Sequence, residues 1–152
     1  MPIVSELQIR PFEVADTATV IALWERTGLT RPWNNPARDI ERKMQVAPEL
    51  FLVGHVNEEL VVTVMGGYEG HRGWANYLAV DASCQGQGYG RLIMSHLEKR
   101  LLALGCPKLS LQVRSGNSAA LKFYEAAGYV RDDVVSLGKR LISDEDPDEH
   151  RH

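Results

Sequence analysis

Cysteine is scarce in this chain: Cys84 and Cys106 are the two in 152 residues. Two thiols cannot build a disulfide framework, so a cytoplasmic setting is expected. Neither cysteine has a partner at metal-ligand spacing, and the five histidines are scattered, so no metal site is expected. Long apolar runs are missing too. No stretch reaches the roughly 18 residues that a membrane span needs, and no membrane partner is expected. The opening Met1-Pro2-Ile3-Val4-Ser5-Glu6 lacks the basic start and apolar core of a secretory leader. Nor is there an excess of basic charge. Seventeen Lys and Arg against twenty Asp and Glu give a formal net charge of −3. The whole molecule therefore does not attract nucleic acid, which is not expected as a partner, although local basic patches stay open. Repeats and low-complexity blocks are absent.

What is present is the composition of a globular chain, 44% apolar and 24% charged, long enough for one domain with a sizeable core. Leu7 to Pro11 alternates as a strand. Val20, Leu23 and Trp24 share one face of a helix from about Asp16 to Thr27, which Gly28 stops. Thr30 to Pro36 reads as a loop. Asn35 then caps a second helix with Pro36 in its first turn and Ile40, Met44 and Ala47 as its apolar stripe. Leu50 to Val56 and Leu60 to Gly67 predict a hairpin, followed by a strand from about Trp74 to Val80. The strongest helix runs from about Tyr89 to Ala103, with Ile93, Leu97, Leu101 and Leu104 at helical spacing. A strand from Lys108 to Val113, a helix from Ser118 to Ala127 and two closing strands within Tyr129 to Ile142 complete the order. Early adjacent strands favour antiparallel pairing, and the later strand–helix–strand unit favours a parallel pair. The fold class expected is α/β, a mixed and mostly antiparallel central sheet with helices on both faces. Residues 1–142 read as a single domain and 143–152 as an acidic, frayed tail.

Between a strand and the strongest helix stands Gln85-Gly86-Gln87-Gly88-Tyr89-Gly90. Glycine there lets the backbone take positive φ and approach a ligand, and unpaired N–H groups at a helix start favour a phosphate. A tight turn shaped only by geometry reads the same way. A P-loop is excluded because Gly-x-x-x-x-Gly-Lys-Ser/Thr does not occur. A dinucleotide fold is disfavoured twice over: the glycine spacing is one short, and the strand from Lys108 to Val113 contains no acid.

Val80-Asp81-Ala82-Ser83-Cys84-Gln85-Gly86-Gln87-Gly88-Tyr89-Gly90-Arg91-Leu92 resembles the acetyl-CoA loop of the GNAT acetyltransferase superfamily, with Gln85, Gly88 and Gly90 on its motif. Asn117 to Tyr129 is similar to that superfamily's other characteristic block, in the correct order. Four shorter stretches, beginning at Leu23, Arg31, Asp39 and Ser136, resemble the bacterial YpeA-type acetyltransferases. Gln87 departs from a position often basic, so phosphate binding should lean on backbone N–H groups. Val62 departs from a frequent glycine.

The resemblance implies a GNAT-like fold, acetyl-CoA as cosubstrate without a metal, and acetyl transfer to a small-molecule, peptide or protein amine. It places the thioester beside the strand ending at Val80, with the N–H of Leu78 or Val80 on the carbonyl oxygen. Gln85, Gly86, Gln87, Gly88, Tyr89, Gly90 and Arg91 would hold the coenzyme, with Asn117 on the pantetheine arm and Lys122 and Arg91 toward the phosphates. Surface charge is the ordinary role of those two cations, and helix capping that of Asn117. Tyr124 is the implied acid for the departing thiolate; a phenol near 10 and a thiol near 8.5 can exchange a proton. Ala120, Phe123, Tyr124 and Ala127 also form an i, i+3, i+4, i+7 stripe, which is a core face. Glu69 and His71 are the candidate bases, and both suit exposed loop positions equally; water can serve instead. Cys84 has no local activating base for a covalent step. Trp33 and Asn34 lie in the loop that covers the acceptor in such folds, and Trp33 suits helix packing as well. A homodimer is compatible with all of this. The competing reading is a catalytically weak coenzyme A-binding sensor or interaction module.

Overall fold

The computed structural model describes residues 6–145. Strands β1 (Gln8–Pro11), β2 (Phe51–Val56), β3 (Glu59–Tyr68), β4 (Gly73–Val80) and β5 (Leu109–Leu111) form one sheet in chain order. The first four pair antiparallel, and β5 joins β4 in parallel. Helices α1 (Thr17–Arg26), α2 (Pro36–Lys43), α3 (Tyr89–Ala103) and α4 (Ser118–Ala126) complete the order. No helix among the described residues is long and apolar enough to cross a membrane.

Side chains alternate across a strand, so β2 and β3 feed two cores at once. Leu52, Val62 and Val64 pack on one face with Ile93, Met94, Leu97 and Leu101 of α3. Phe51, Val53 and Met65 pack on the other with Val20, Leu23 and Trp24 of α1 and Ile40 of α2. This agrees with the mixed sheet and two-sided helices read from the sequence. On the α1 face a run of stacked rings crosses the sheet: Phe12 on Phe51 at 4.4 Å, Phe51 to Trp24 at 6.0 Å, and Trp24 on Tyr77 at 3.8 Å. Trp24 is fully buried, and its loss to alanine would cost about 3–5 kcal/mol.

Three expectations need correction. No strand forms between 129 and 142, so among the described residues the sheet has five strands rather than seven. That segment runs beside β5 and is tied by side chains, Lys108 to Asp132 at 3.0 Å and Gln112 to Ser136. Its Val130, Val134, Val135, Leu137 and Leu141 stay exposed. Three successive charges at 131–133 and the adjacent pair Val134-Val135 break the alternation that a half-buried strand requires. Leu104 is exposed, because α3 ends at Ala103 and Met94 takes the burial instead. The third concerns the tail: Asp144 is covered, its carboxylate gripped by Arg42 at 2.7 and 2.9 Å and by Arg140 at 2.9 Å. Those arginine forks, rather than core atoms, shield it and hold its pKa down to about 2. Residues 146–152 of the expected tail lie outside the described residues.

Candidate active site

The site begins where two strands part. Parallel pairing between β4 and β5 covers Gly73 to Ala75 only, while β4 continues to Val80. From Asn76 onward β4 has no sheet neighbour on that side, and its backbone lines a cleft of about 760 Å³. On the opposite side, the β3–β4 register shifts between Thr63↔Ala79 and Met65↔Asn76. An extra residue is therefore held in β4, and Tyr77 takes φ +53°. A tyrosine in that region costs about 1–3 kcal/mol, so its surroundings must enforce it. The ring stacks on Trp24, the carbonyl accepts from Thr63 Oγ1 at 2.9 Å, and that hydroxyl accepts from Trp24 Nε1 at 2.9 Å. The Tyr77 hydroxyl donates to Asp39 Oδ2 at 2.7 Å. Burial, then that bond, raises its pKa far above ordinary, so Tyr77 keeps its proton on the bond to Asp39.

At the C-terminal end of β4 the chain turns through Asp81, whose carboxylate bonds Arg26 at 2.8 Å and the Ser83 N–H at 3.2 Å. The Arg26 bond, then that N–H, lowers its pKa. Gly86 and Gly88 both take φ +84°, and a Cβ at either would meet no atom within 4 Å. The space above them is open, and the backbone conformation is one that disfavours side chains. Gly88 starts α3 without a side-chain cap, so the N–H groups of Tyr89, Gly90 and Arg91 have no intrahelical acceptor. Gly90 has a different reason to be small: a Cβ would sit 3.2 Å from Phe123 and 3.3 Å from Val80. Gln85, Gly86 and Gln87 are exposed on this turn, and Gln85 Nε2 reaches the Val80 carbonyl at 3.5 Å. Arg91 donates to the Ala126 carbonyl at 3.0 Å, tying α3 to α4, while Lys122 is exposed.

Across the cleft from β4 stands α4. The Asn117 side chain caps it by accepting from the Ala120 N–H at 3.1 Å, and Asn117 also lines the cleft with Tyr124. Tyr124 lies edge-on to Phe123 and Tyr129, at 5.1 and 5.7 Å. Burial pushes its phenol up to about 12, and among the described residues its hydroxyl has no hydrogen-bond partner. It also borders a second cavity of about 800 Å³ between β5 and the 129–136 segment. Tyr124 is thus both packed and open to the cleft, as its two sequence readings allowed.

The structure brings Leu78, Asn117, Tyr124 and Asn34 to one cleft; Val80 and the glycine turn line neither cavity and follow at the C-terminal end of β4. Trp33 lines neither cavity; it is half exposed under the Arg114 guanidinium at 5.6 Å, and its carbonyl accepts from Arg140. Glu69 and His71 line neither cavity. They sit in the β3–β4 turn, at the opposite end of β4 from Val80, where the Glu69 carboxylate accepts from the backbone N–H groups of His71 and Arg72. Sequence reasoning missed Tyr77, Asp39, Lys43 and Arg114. The i, i+4 spacing of Asp39 and Lys43 on a capped helix was available as a signal; nothing local marks Tyr77. Among the described residues no group of three or more metal-ligating side chains occurs.

The profile of the acetyltransferase (GNAT) family matches residues 16–129. An acetyltransferase of Yersinia pestis is 50% identical over 140 residues, covering 92% of this chain and 99% of that protein. The crystal structure of Ard1 from Thermoplasma volcanium superposes with a TM-score of 0.71 at 26% identity, over 82% of each chain. AAC(6')-Iy, solved with a bisubstrate analogue built on CoA, gives 0.74 at 14% identity over 90% of this chain and 99% of its own, a likeness of fold. A parted β4–β5 pair, a glycine turn at a helix start and a profile match over most of the chain agree, and the chain belongs to the GNAT family of acetyltransferases.

Proposed function

We propose that this enzyme transfers an acetyl group from acetyl-CoA to an amine by direct attack within a ternary complex. The observation that carries the reading is the bulged stretch Asn76–Leu78, beyond the reach of β5 and facing Tyr124 across one open cleft, with the glycine turn following the C-terminal end of β4. The thioester of acetyl-CoA supplies an activated acetyl group. The Leu78 N–H, or that of Val80, would bind the acetyl oxygen and stabilise its developing charge. The open backbone at Gly86 and Gly88 and the free N–H groups of α3 suit a pyrophosphate, while Gln85, Gln87 and Arg91 border it and Lys122 lies nearby on α4. Asn117 would meet the pantetheine arm.

Tyr124 would hold its proton at Oη for the departing sulfur. Its raised pKa keeps it protonated throughout the neutral range, and the same dry surroundings favour a neutral thiol over a thiolate. The amine must arrive neutral. Asp39 lines the cleft but is occupied by Tyr77, so water takes the proton that the nitrogen loses and returns one to Tyr124 after the thiol leaves, and Glu69 and His71 have no part in this reading. The acceptor is a small-molecule or peptide amine entering past Trp33 and Asn34, and the four short motifs support placement in the YpeA-type branch. Thiol release from acetyl-CoA, with mass spectrometry of the products, tests the proposal over a panel of amines and peptides. Acetylated amine is expected. Tight coenzyme A binding without transfer to any acceptor would favour the sensor reading instead.

A further inference from the structure

The cleft carries an unbalanced charge. Arg31 on the loop after α1, Arg42 and Lys43 on α2, and Arg114 on the loop after β5 all line it, against the single carboxylate of Asp39. Arg42 is answered by Asp144 at 2.7 Å and Asp39 at 3.5 Å. The other three form no ion pair among the described residues. Arg31 spends Nη1 on the neutral carbonyls of Gly28 and Thr30, at 2.7 and 2.9 Å, and Arg114 lies over Trp33. Lys43 is the most telling, because it reaches inward: a Cβ at Gly67 of β3 would lie 3.6 Å from its Nζ. Burial there depresses its pKa. The Glu49 carboxylate offsets this in part without forming an ion pair, and an ammonium held against a strand with no counter-ion in contact loses solvation that an anion would restore. The glycine turn at 85–91 contributes no residue to this cleft wall, so these cations stand apart from the proposed pyrophosphate cradle.

We propose that the acceptor is a small amine carrying a carboxylate on the same molecule, and that Lys43 and Arg114, with Arg31, hold that carboxylate while the amine faces Leu78. This rests on the acetyl-transfer reading above. Two matched pairs test it: lysine against cadaverine, and γ-aminobutyrate against n-butylamine. With acetyl-CoA saturating, kcat/KM should favour the carboxylated member of each pair by about 10–100-fold. Lys43→Met and Arg114→Met should each shrink that ratio by raising acceptor KM, with the KM for acetyl-CoA unmoved. A ratio near one in the native enzyme would overturn the inference. So would a rise in the KM for acetyl-CoA in both variants, which would give the cations to the coenzyme phosphates. Lys43→Met exchanges a half-buried charge for an apolar chain of similar length, so folding should survive, and Arg114→Met changes an exposed loop. Calorimetry on coenzyme A-saturated protein separates the two readings. Lysine binding that weakens in Lys43→Met, without turnover, would sustain the carboxylate site and remove acetyl transfer; equal binding of lysine and cadaverine would remove the site.

Discussion

The glycine turn and the cleft beside β4 are built by different means. At the glycine turn, the groups proposed to meet the coenzyme are backbone N–H donors of consecutive residues, and no side chain caps the helix start. At the acceptor end, side chains from distant parts of the chain do the shaping. Tyr77 bonds Asp39 across 38 residues, and Arg42 bonds Asp144 across 102. The first kind of site can serve many acceptors with one cosubstrate, because backbone donors vary little with sequence. The second can be retuned by single substitutions.

Tyr124 lines the cleft, and its loss should have the largest effect. Tyr124→Phe removes one hydroxyl and keeps the ring, so kcat should fall about 10²–10⁴-fold with little change in acetyl-CoA affinity. Because the hydroxyl has no described partner, stability should move by no more than about 1 kcal/mol. An unchanged kcat, with chemistry shown to limit the rate, would leave Tyr124 as packing alone.

The backbone end should break at Gly88. A ligand at 100 times its Kd stabilises a native fold by about 2.7 kcal/mol. Gly88→Val should lose the rise in Tm that acetyl-CoA produces, because its φ of +84° suits glycine and the side chain would fill the open space above it. The variant should remain folded at a cost of about 1–3 kcal/mol from the left-handed backbone, since no atom lies within 4 Å of the new Cβ. A native-like Tm rise would mean that the turn is not the pyrophosphate site.

The acceptor end should respond to acid through Asp144. Its carboxyl is held below its ordinary value of 3.8, to about 2, first by Arg42. A depressed carboxylate stabilises the fold above its unfolded pKa, and that contribution fades as pH falls from about 4 toward 2. Denaturation midpoints measured across this window should fall less steeply for Asp144→Asn than for the native chain. Parallel curves would show that the grip of Arg42 and Arg140 adds nothing.

The smallest effect is expected in the β3–β4 turn. Glu69→Gln and His71→Gln should leave the pH profile of kcat/KM intact, because both residues lie outside the cleft. A lost limb in that profile, with stability unchanged, would return the base to this turn.

Glycine and helix-start patterns are local, which explains why the turn from Gln85 to Arg91 was legible in the sequence, along with the cap at Asn117. Helix α3 matched its expected span because its apolar spacing is long and regular. Five strands and four helices followed from periodicity. The closing strands did not, because a strand also needs a partner edge, and β5 offers three residues. Tyr77 could not have been found at all. Its positive φ is imposed by a stacked tryptophan and a threonine hydroxyl that the sheet alone brings into reach. The same holds for the unpaired cations: composition counts charges, but only the tertiary structure decides which of them find a counter-ion. Local pattern thus determined the elements and the glycine turn proposed for the coenzyme. Contacts between residues far apart in the chain decided the side-chain end, because their geometry exists only once the sheet and helices have packed.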